Sequence, residues 1–129
     1  MNIPADLKYT KSDEWVRAEG ATATAGISDF AQNALSDIVY VELPSVGDAI
    51  GQGEKLGSVE SVKAASDINM PIGGTITAVN DALSSAPEKV NADPYGEAWM
   101  VKFTITNPAE LDGLMDAAAY EKYCAERAH

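Results

Sequence analysis

Lys63 is the residue whose setting invites chemistry. It lies in Glu60-Ser61-Val62-Lys63-Ala64-Ala65-Ser66-Asp67-Ile68, between two runs that can each extend as a strand, with Pro71, Gly73 and Gly74 close behind. That context predicts a lysine held at the tip of a hairpin. A tight hairpin keeps its tip residue at a defined place away from the sheet. A modifying enzyme can then recognise the fold around the amine as well as the local sequence. A lysine ammonium is strongly hydrated and normally points into water, so on physics alone an ordinary surface lysine is the commoner reading.

No other constellation competes with it. The only histidine is His129, the last residue, so a Ser-His-Asp or Cys-His arrangement would have to use a chain end. There is no Cys-x-x-Cys, no His-Glu-x-x-His and no clustered set of zinc ligands. Gly51-Gln52-Gly53 with Gly57 is a poor dinucleotide loop, because the third glycine falls one place too late and no helix follows; these glycines read as turns. No two carboxylates stand out as an acid and base pair, and their default is a solvated face. The sequence offers no catalytic residue set and no metal site.

The elements that must position Lys63 are mostly strands. Glu14 to Glu19 alternates and turns at Gly20 into Ala21 to Gly26. Ser28 reads as a helix N-cap with Asp29 in the first turn, and Phe30, Ala31, Ala34 and Leu35 form an apolar face. Asp37 to Leu43 is a strand, with Val39, Val41 and Leu43 on one face and Ile38, Tyr40 and Glu42 on the other. Lys55 to Ser61, Ala65 to Met70 and Gly74 to Asn80 are further strands, and Asn91 to Gly96 is a dense turn. Trp99, Val101, Phe103 and Ile105 alternate with Met100, Lys102 and Thr104, which commits one face of a last strand to the core. Asn107-Pro108-Ala109-Glu110 then places a cap, a first-turn proline and a glutamate as a helix start. Asp116 caps a final helix whose Tyr120, Tyr123 and Cys124 face the core. Many short strands with one early and two late helices describe a small, mainly β domain with helical additions.

Composition narrows the partners. At 129 residues the chain reads as one domain, 1–129. Its net charge of -11 argues against nucleic acid, whose affinity comes from cationic side chains, and against an anionic membrane surface. The same charge suits partners with basic docking patches. The single cysteine, Cys124, excludes an intrachain disulfide and favours a reducing compartment. No apolar run reaches the length of a membrane span, and the start shows neither a signal nor a transit peptide.

The blocks together resemble the glycine cleavage system H proteins, which are lipoyl carriers. Glu60 to Asp67 is nearly word for word the family motif whose lysine bears lipoamide. Leu7-Lys8-Tyr9, Glu14-Trp15-Val16, Gly26-Ile27-Ser28-Asp29 and Asp37 to Pro44 match upstream blocks. Asp93-Pro94-Tyr95-Gly96-Glu97 leading to Trp99-Met100-Val101-Lys102 matches downstream. Order and spacing agree from residue 7 to about 125.

The resemblance implies a flattened β-barrel or sandwich of lipoyl type, with a short helix near residues 28–35, a lipoyl hairpin at about 56–71 and a helical tail at about 107–126. It implies lipoate amide-linked to Lys63 and no catalytic residues. The partners it implies are a pyridoxal-phosphate glycine decarboxylase, a tetrahydrofolate-dependent aminomethyltransferase, a flavin-containing (FAD) dihydrolipoamide dehydrogenase and lipoate attachment enzymes. Glu60 resembles the acidic residue that attachment enzymes recognise, and Gly74 the glycine that helps position the hairpin, although Gly74 could simply supply a backbone angle closed to other residues. Ser12, Glu14 and Asp67 would line a resting place for the lipoyl arm, where a cationic cargo amine favours carboxylates; otherwise Glu14 and Asp67 are exposed strand ends. A monomer is implied, in the bacterial cytoplasm, or in the mitochondrial matrix for a processed eukaryotic protein. Many family members carry histidines where this chain has Asp13 and Phe30. Two alternatives remain: a lipoyl donor serving 2-oxoacid dehydrogenases, and a β-rich interaction module that is never lipoylated.

Overall fold

The computed structural model describes residues 1–127, so His129 lies outside the described residues. Nine strands are formed among these residues: β1 (Lys8–Tyr9), β2 (Glu14–Glu19), β3 (Thr22–Ile27), β4 (Ile38–Glu42), β5 (Ala49–Ile50), β6 (Lys55–Ser61), β7 (Ala65–Asn69), β8 (Gly74–Val79) and β9 (Val101–Ile105). They make two antiparallel sheets, ordered β1-β2-β3-β9-β8-β5 and β4-β6-β7. The sheets do not close on each other, so the expected flattened sandwich is an open one. Helix α1 (Asp29–Leu35) leads into β4, α2 (Ala82–Ser85) and α3 (Lys89–Ala92) follow β8, and α4 (Ala117–Arg127) follows a 3₁₀ turn at Pro108–Gly113.

Each sheet turns one face to a shared core. Val16, Ala25, Ile76 and Phe103 from the larger sheet meet Ile38, Val41, Val59 and Ile68 from the smaller. A second cluster gathers Leu7, Tyr9, Trp15, Tyr95, Tyr120 and Cys124 where α4 docks. There the Tyr9 and Tyr120 rings stack with centroids 4.5 Å apart and planes within 1°. Trp15 Nε1 donates to the Pro94 carbonyl at 3.0 Å, so its buried N–H is satisfied. Burial pushes the Tyr95 hydroxyl up to about 12. That hydroxyl donates to the Asn2 carbonyl and accepts from the Asp29 amide.

Several expected elements appear with small boundary shifts. Ser28 caps α1, its hydroxyl accepting from the Ala31 amide at 3.2 Å. Asp116 caps α4 through the Ala119 amide at 2.8 Å, and Tyr120 and Cys124 are buried as expected. The segment starting at Asn107 and Pro108 winds as 3₁₀ rather than α. The turn expected from Asn91 begins later, because Lys89–Ala92 is helical. Asn91 accepts there from the Ile38 amide and donates to Gln32 and the Ser36 carbonyl, which joins α1 to the start of β4.

Two facing assignments change. A bulge between Ile38 and Tyr40 interrupts the alternation of β4. Ile38 and Val41 therefore both point inward, while Val39 and Tyr40 are exposed. Met100 is fully buried although the alternation set it outside, because regular pairing starts only at Val101 and its own amide bonds to the Ala25 carbonyl.

Gly74 is not needed for its backbone angle, since it is absent from the glycines with positive φ. What excludes a side chain is crowding: a Cβ there would run into the Phe103 ring and the Thr104 carbonyl. Gly74→Ala should therefore cost about 1–3 kcal/mol, as over-packing of a tight core does. Urea unfolding measures this, and an unchanged midpoint would mean that β9 yields at no cost.

Candidate functional site

The β6–β7 hairpin ends in Val62, Lys63 and Ala64, and Ser61 closes it. The Ser61 amide donates to the Ala64 carbonyl at 2.7 Å. Its hydroxyl oxygen accepts from the Ala64 amide at 3.1 Å and from the Lys63 amide at 3.3 Å. The Val62 amide donates to the Asp37 carbonyl at 3.0 Å, which fastens the tip to the segment entering β4. The backbone of Lys63 is thus held while its side chain stands in solvent, with no ion pair among the described residues. The role of Ser61 went unread in the sequence. Its signal was a serine two residues before the tip, a position from which a hydroxyl can cap turn amides.

The same hairpin supplies one wall of a cleft of about 160 Å³. Val59, Ser66, Asp67 and Ile68 face Ser12, Asp13, Glu14 and Ile27, with Ala31, Ala34 and Leu35 of α1 closing one side. Ser12, Glu14 and Asp67 are therefore brought together at one site. Glu14 is not the exposed strand end that its charge suggested, for it is only 1% accessible. One carboxylate oxygen accepts from the Thr10 hydroxyl at 2.6 Å and from the Ser12 hydroxyl at 2.5 Å. The other accepts from the Asn69 amide at 3.2 Å. Burial raises the Glu14 pKa, and these hydrogen bonds oppose it without cancelling it. Asp67 is exposed and lies 3.5 Å from Lys55 Nζ, a surface pair of small energetic weight.

Glu60 and Gly74 stand elsewhere. Glu60 is exposed on β6 between Tyr40 and Ala65. Gly74 belongs to the larger sheet, so any effect on the hairpin must pass through packing.

Asp13 and Phe30 are joined by one residue, Arg127. Asp13 takes a positive φ of 75° and accepts from the Tyr120 hydroxyl at 2.8 Å. Its two oxygens also receive both terminal nitrogens of Arg127. The Arg127 guanidinium lies over the Phe30 ring at 4.3 Å and the Tyr123 ring at 4.0 Å. The hydrogen bonds from Arg127 to Asp13 raise the arginine's pKa further, and burial carries Tyr120 well above the ordinary tyrosine range. This network crosses about a hundred residues of sequence and leaves no local pattern.

A held backbone, a freely displayed amine and an acidic cleft on the same hairpin define a carrier module, built to present a side chain rather than to turn over a substrate. The chain belongs to the glycine cleavage H-protein family, whose model matches residues 7–127. It is 53% identical over 125 residues to the glycine cleavage system H protein of Symbiobacterium thermophilum, covering 97% of this chain and 98% of that one. It is 54% identical to the H protein of Nitratidesulfovibrio vulgaris over 129 residues, all of both chains. A crystal structure of a glycine cleavage system H protein from Mycobacterium marinum superposes with a TM-score of 0.85 at 35% identity, over 98% of this chain and 100% of that one.

The shift of Glu14 makes stability depend on pH. The folded chain binds a proton more tightly there than the unfolded chain does, so stability declines as the pH climbs from the ordinary glutamate value through the raised one. Glu14→Gln removes this titration, and an amide can still bond Thr10, Ser12 and the Asn69 amide. The variant's urea midpoint should gain on the parent's as the pH rises from the ordinary glutamate range through the raised Glu14 value. A difference that stays constant with pH would exclude a raised Glu14.

Proposed function

We infer that this chain is the lipoyl-bearing shuttle protein of the glycine cleavage system, a carrier without catalytic activity of its own. It takes the aminomethyl group from glycine decarboxylase to the aminomethyltransferase, and electrons to dihydrolipoamide dehydrogenase. The observation that carries this reading is Lys63, displayed on a closed hairpin tip in a chain that matches the H-protein family over 7–127. Neither the lipoyl donor for 2-oxoacid dehydrogenases nor the unlipoylated module is favoured by that membership.

Lys63 fits an amide-linked lipoyl group, because its ammonium is exposed and engaged by no carboxylate among the described residues. Bound there, lipoate would supply a dithiol–disulfide pair that accepts and releases the cargo. The protein's part is positional. Ser61 and the Asp37 carbonyl hold the tip, so the amine swings about a fixed root and meets each partner at raised effective concentration. Asp67, the third residue of β7, follows Lys63 by four residues and so lies at most roughly 13 Å away at about 3.3 Å per extended residue. The cleft wall is therefore within reach of a long arm. Ile27, Ala31 and Leu35 would keep water from a labile cargo, while Ser12, Glu14 and Asp67 would hold its amine. An arriving cation favours the charged form of Glu14. Glu60 is offered to attachment enzymes as an acidic marker. The relatives are bacterial, which supports a place in the bacterial cytoplasm.

Intact mass and peptide mapping of native protein should find lipoate on Lys63, and Lys63→Arg should abolish glycine oxidation in a mixture with the three partner enzymes. Glycine oxidation supported by the arginine variant would reject the reading. The double variant Glu14→Gln, Asp67→Asn should lose its loaded aminomethyl group to water faster than the parent. Equal decay rates would remove the cleft from the mechanism while leaving Lys63 in it.

A further inference from the structure

The bulge in β4 has a consequence beside the displayed amine. It turns two consecutive side chains outward, leaving Val39 at 53% and Tyr40 at 49% exposure. Val62, the neighbour of Lys63, is 68% exposed. The Val62 amide bonds to the Asp37 carbonyl, so the tip and the start of β4 are one continuous surface. Tyr40 lies directly across from Glu60 on the outer face of the smaller sheet. Asp37, Glu42 and Glu60 are all exposed around it. Three exposed apolar side chains along the tip and the adjoining start of β4, with exposed carboxylates on the same segments, have the make-up of a docking surface, with an apolar centre and a polar rim.

We propose that Val39, Tyr40 and Val62, rimmed by Asp37, Glu42 and Glu60, dock the enzyme that acylates Lys63, through an apolar seat edged with lysine and arginine. The proposal rests on Lys63 being the lipoyl attachment residue. Two features argue for this occupant. An acylating enzyme must bring its reactive carbonyl to Nζ itself, so it covers the residues next to Lys63. An enzyme that serves the far end of the arm can stand further off. The rim is also uniformly acidic on a chain of net charge -11, which selects a basic partner and speeds its approach. In the step served, the Lys63 ammonium gives up a proton and the amine attacks the acyl carbon of a lipoyl adenylate. The amide C–N bond forms, the acyl C–O bond to phosphate breaks, AMP leaves with that electron pair, and the second nitrogen proton passes to solvent.

The test uses the full unlipoylated chain with a lipoate–protein ligase, lipoate and ATP, and follows acylation of Lys63 by intact mass. Val39→Ser and Tyr40→Ser should each raise KM for the carrier by about tenfold or more, as loss of an interface anchor does, with little change in kcat. Val46→Ser, at a residue 62% exposed in the turn before β5, should match the parent. Glu42→Gln should weaken the salt dependence of kcat/KM. Val46→Ser and Glu42→Gln should melt with the parent, and Val39→Ser and Tyr40→Ser, half-exposed in β4, should melt somewhat lower but stay folded at the assay temperature. Unchanged KM in the Val39→Ser, Tyr40→Ser double variant, with Lys63 still acylated, overturns the docking surface alone. A parent chain that the ligase does not acylate at Lys63 overturns the attachment reading, and this proposal with it.

Discussion

Presenting one amine from a fixed root requires a hairpin that cannot slip. β6 meets this requirement by lying between β4 and β7 and pairing on both sides. Its inward residue Val59 stands opposite Val41, and Ile68 on β7 is buried with them. A slip of one residue would turn these side chains into water and bring polar neighbours into the core. The register is therefore set by burial some distance below the tip. It delivers Lys63 to the turn, and Ser61 then closes the last amides. A mobile or misregistered tip would show partners a different residue, or the same residue from a wandering base.

Against that paired hairpin, Glu14 is a buried carboxyl whose pKa burial raises. A carboxylate taken out of water is costly unless hydrogen bonds replace its hydration. Thr10, Ser12 and the Asn69 amide supply three of them. Burial still prevails, which is why the carboxyl holds its proton more tightly than a free glutamate. The Asn69 contact matters structurally as well, because it ties β2 of the larger sheet to the end of β7. The cleft between them is spanned by a hydrogen bond as well as by apolar packing.

The C-terminal helix acts as a brace on this arrangement. An isolated helix of eleven residues is marginal in water, and α4 is held by what it touches. Tyr120 stacks on Tyr9, bonds Ser28 at the cap of α1, and donates to Asp13 at the cleft edge. Arg127 adds a forked pair to Asp13 and stacks between Phe30 and Tyr123. Asp13 and Phe30 are thus both partners of one arginine and share one structural setting.

Strands β6 and β7 and the cap of α1 were legible in the chain because each follows from local spacing, turn residues and one capping side chain. Lys63 at a hairpin tip was legible for the same reason, and the motif around it pointed to the family. The order of strands in two open sheets was not, since pairing partners lie far apart in sequence. Nor was the outward turn of Val39 and Tyr40, because a bulge adds a residue without altering composition. By charge alone Glu14 looked like an exposed strand end, while the family resemblance set it at a cleft; only its neighbours from β7 and the preceding turn show it to be buried. The sequence alone determined which residue would be displayed and on what kind of turn. The tertiary structure decided which carboxylate lies buried beside it and which apolar residues are left facing out. Burial and bulge geometry arise from contacts between segments that no local pattern encodes.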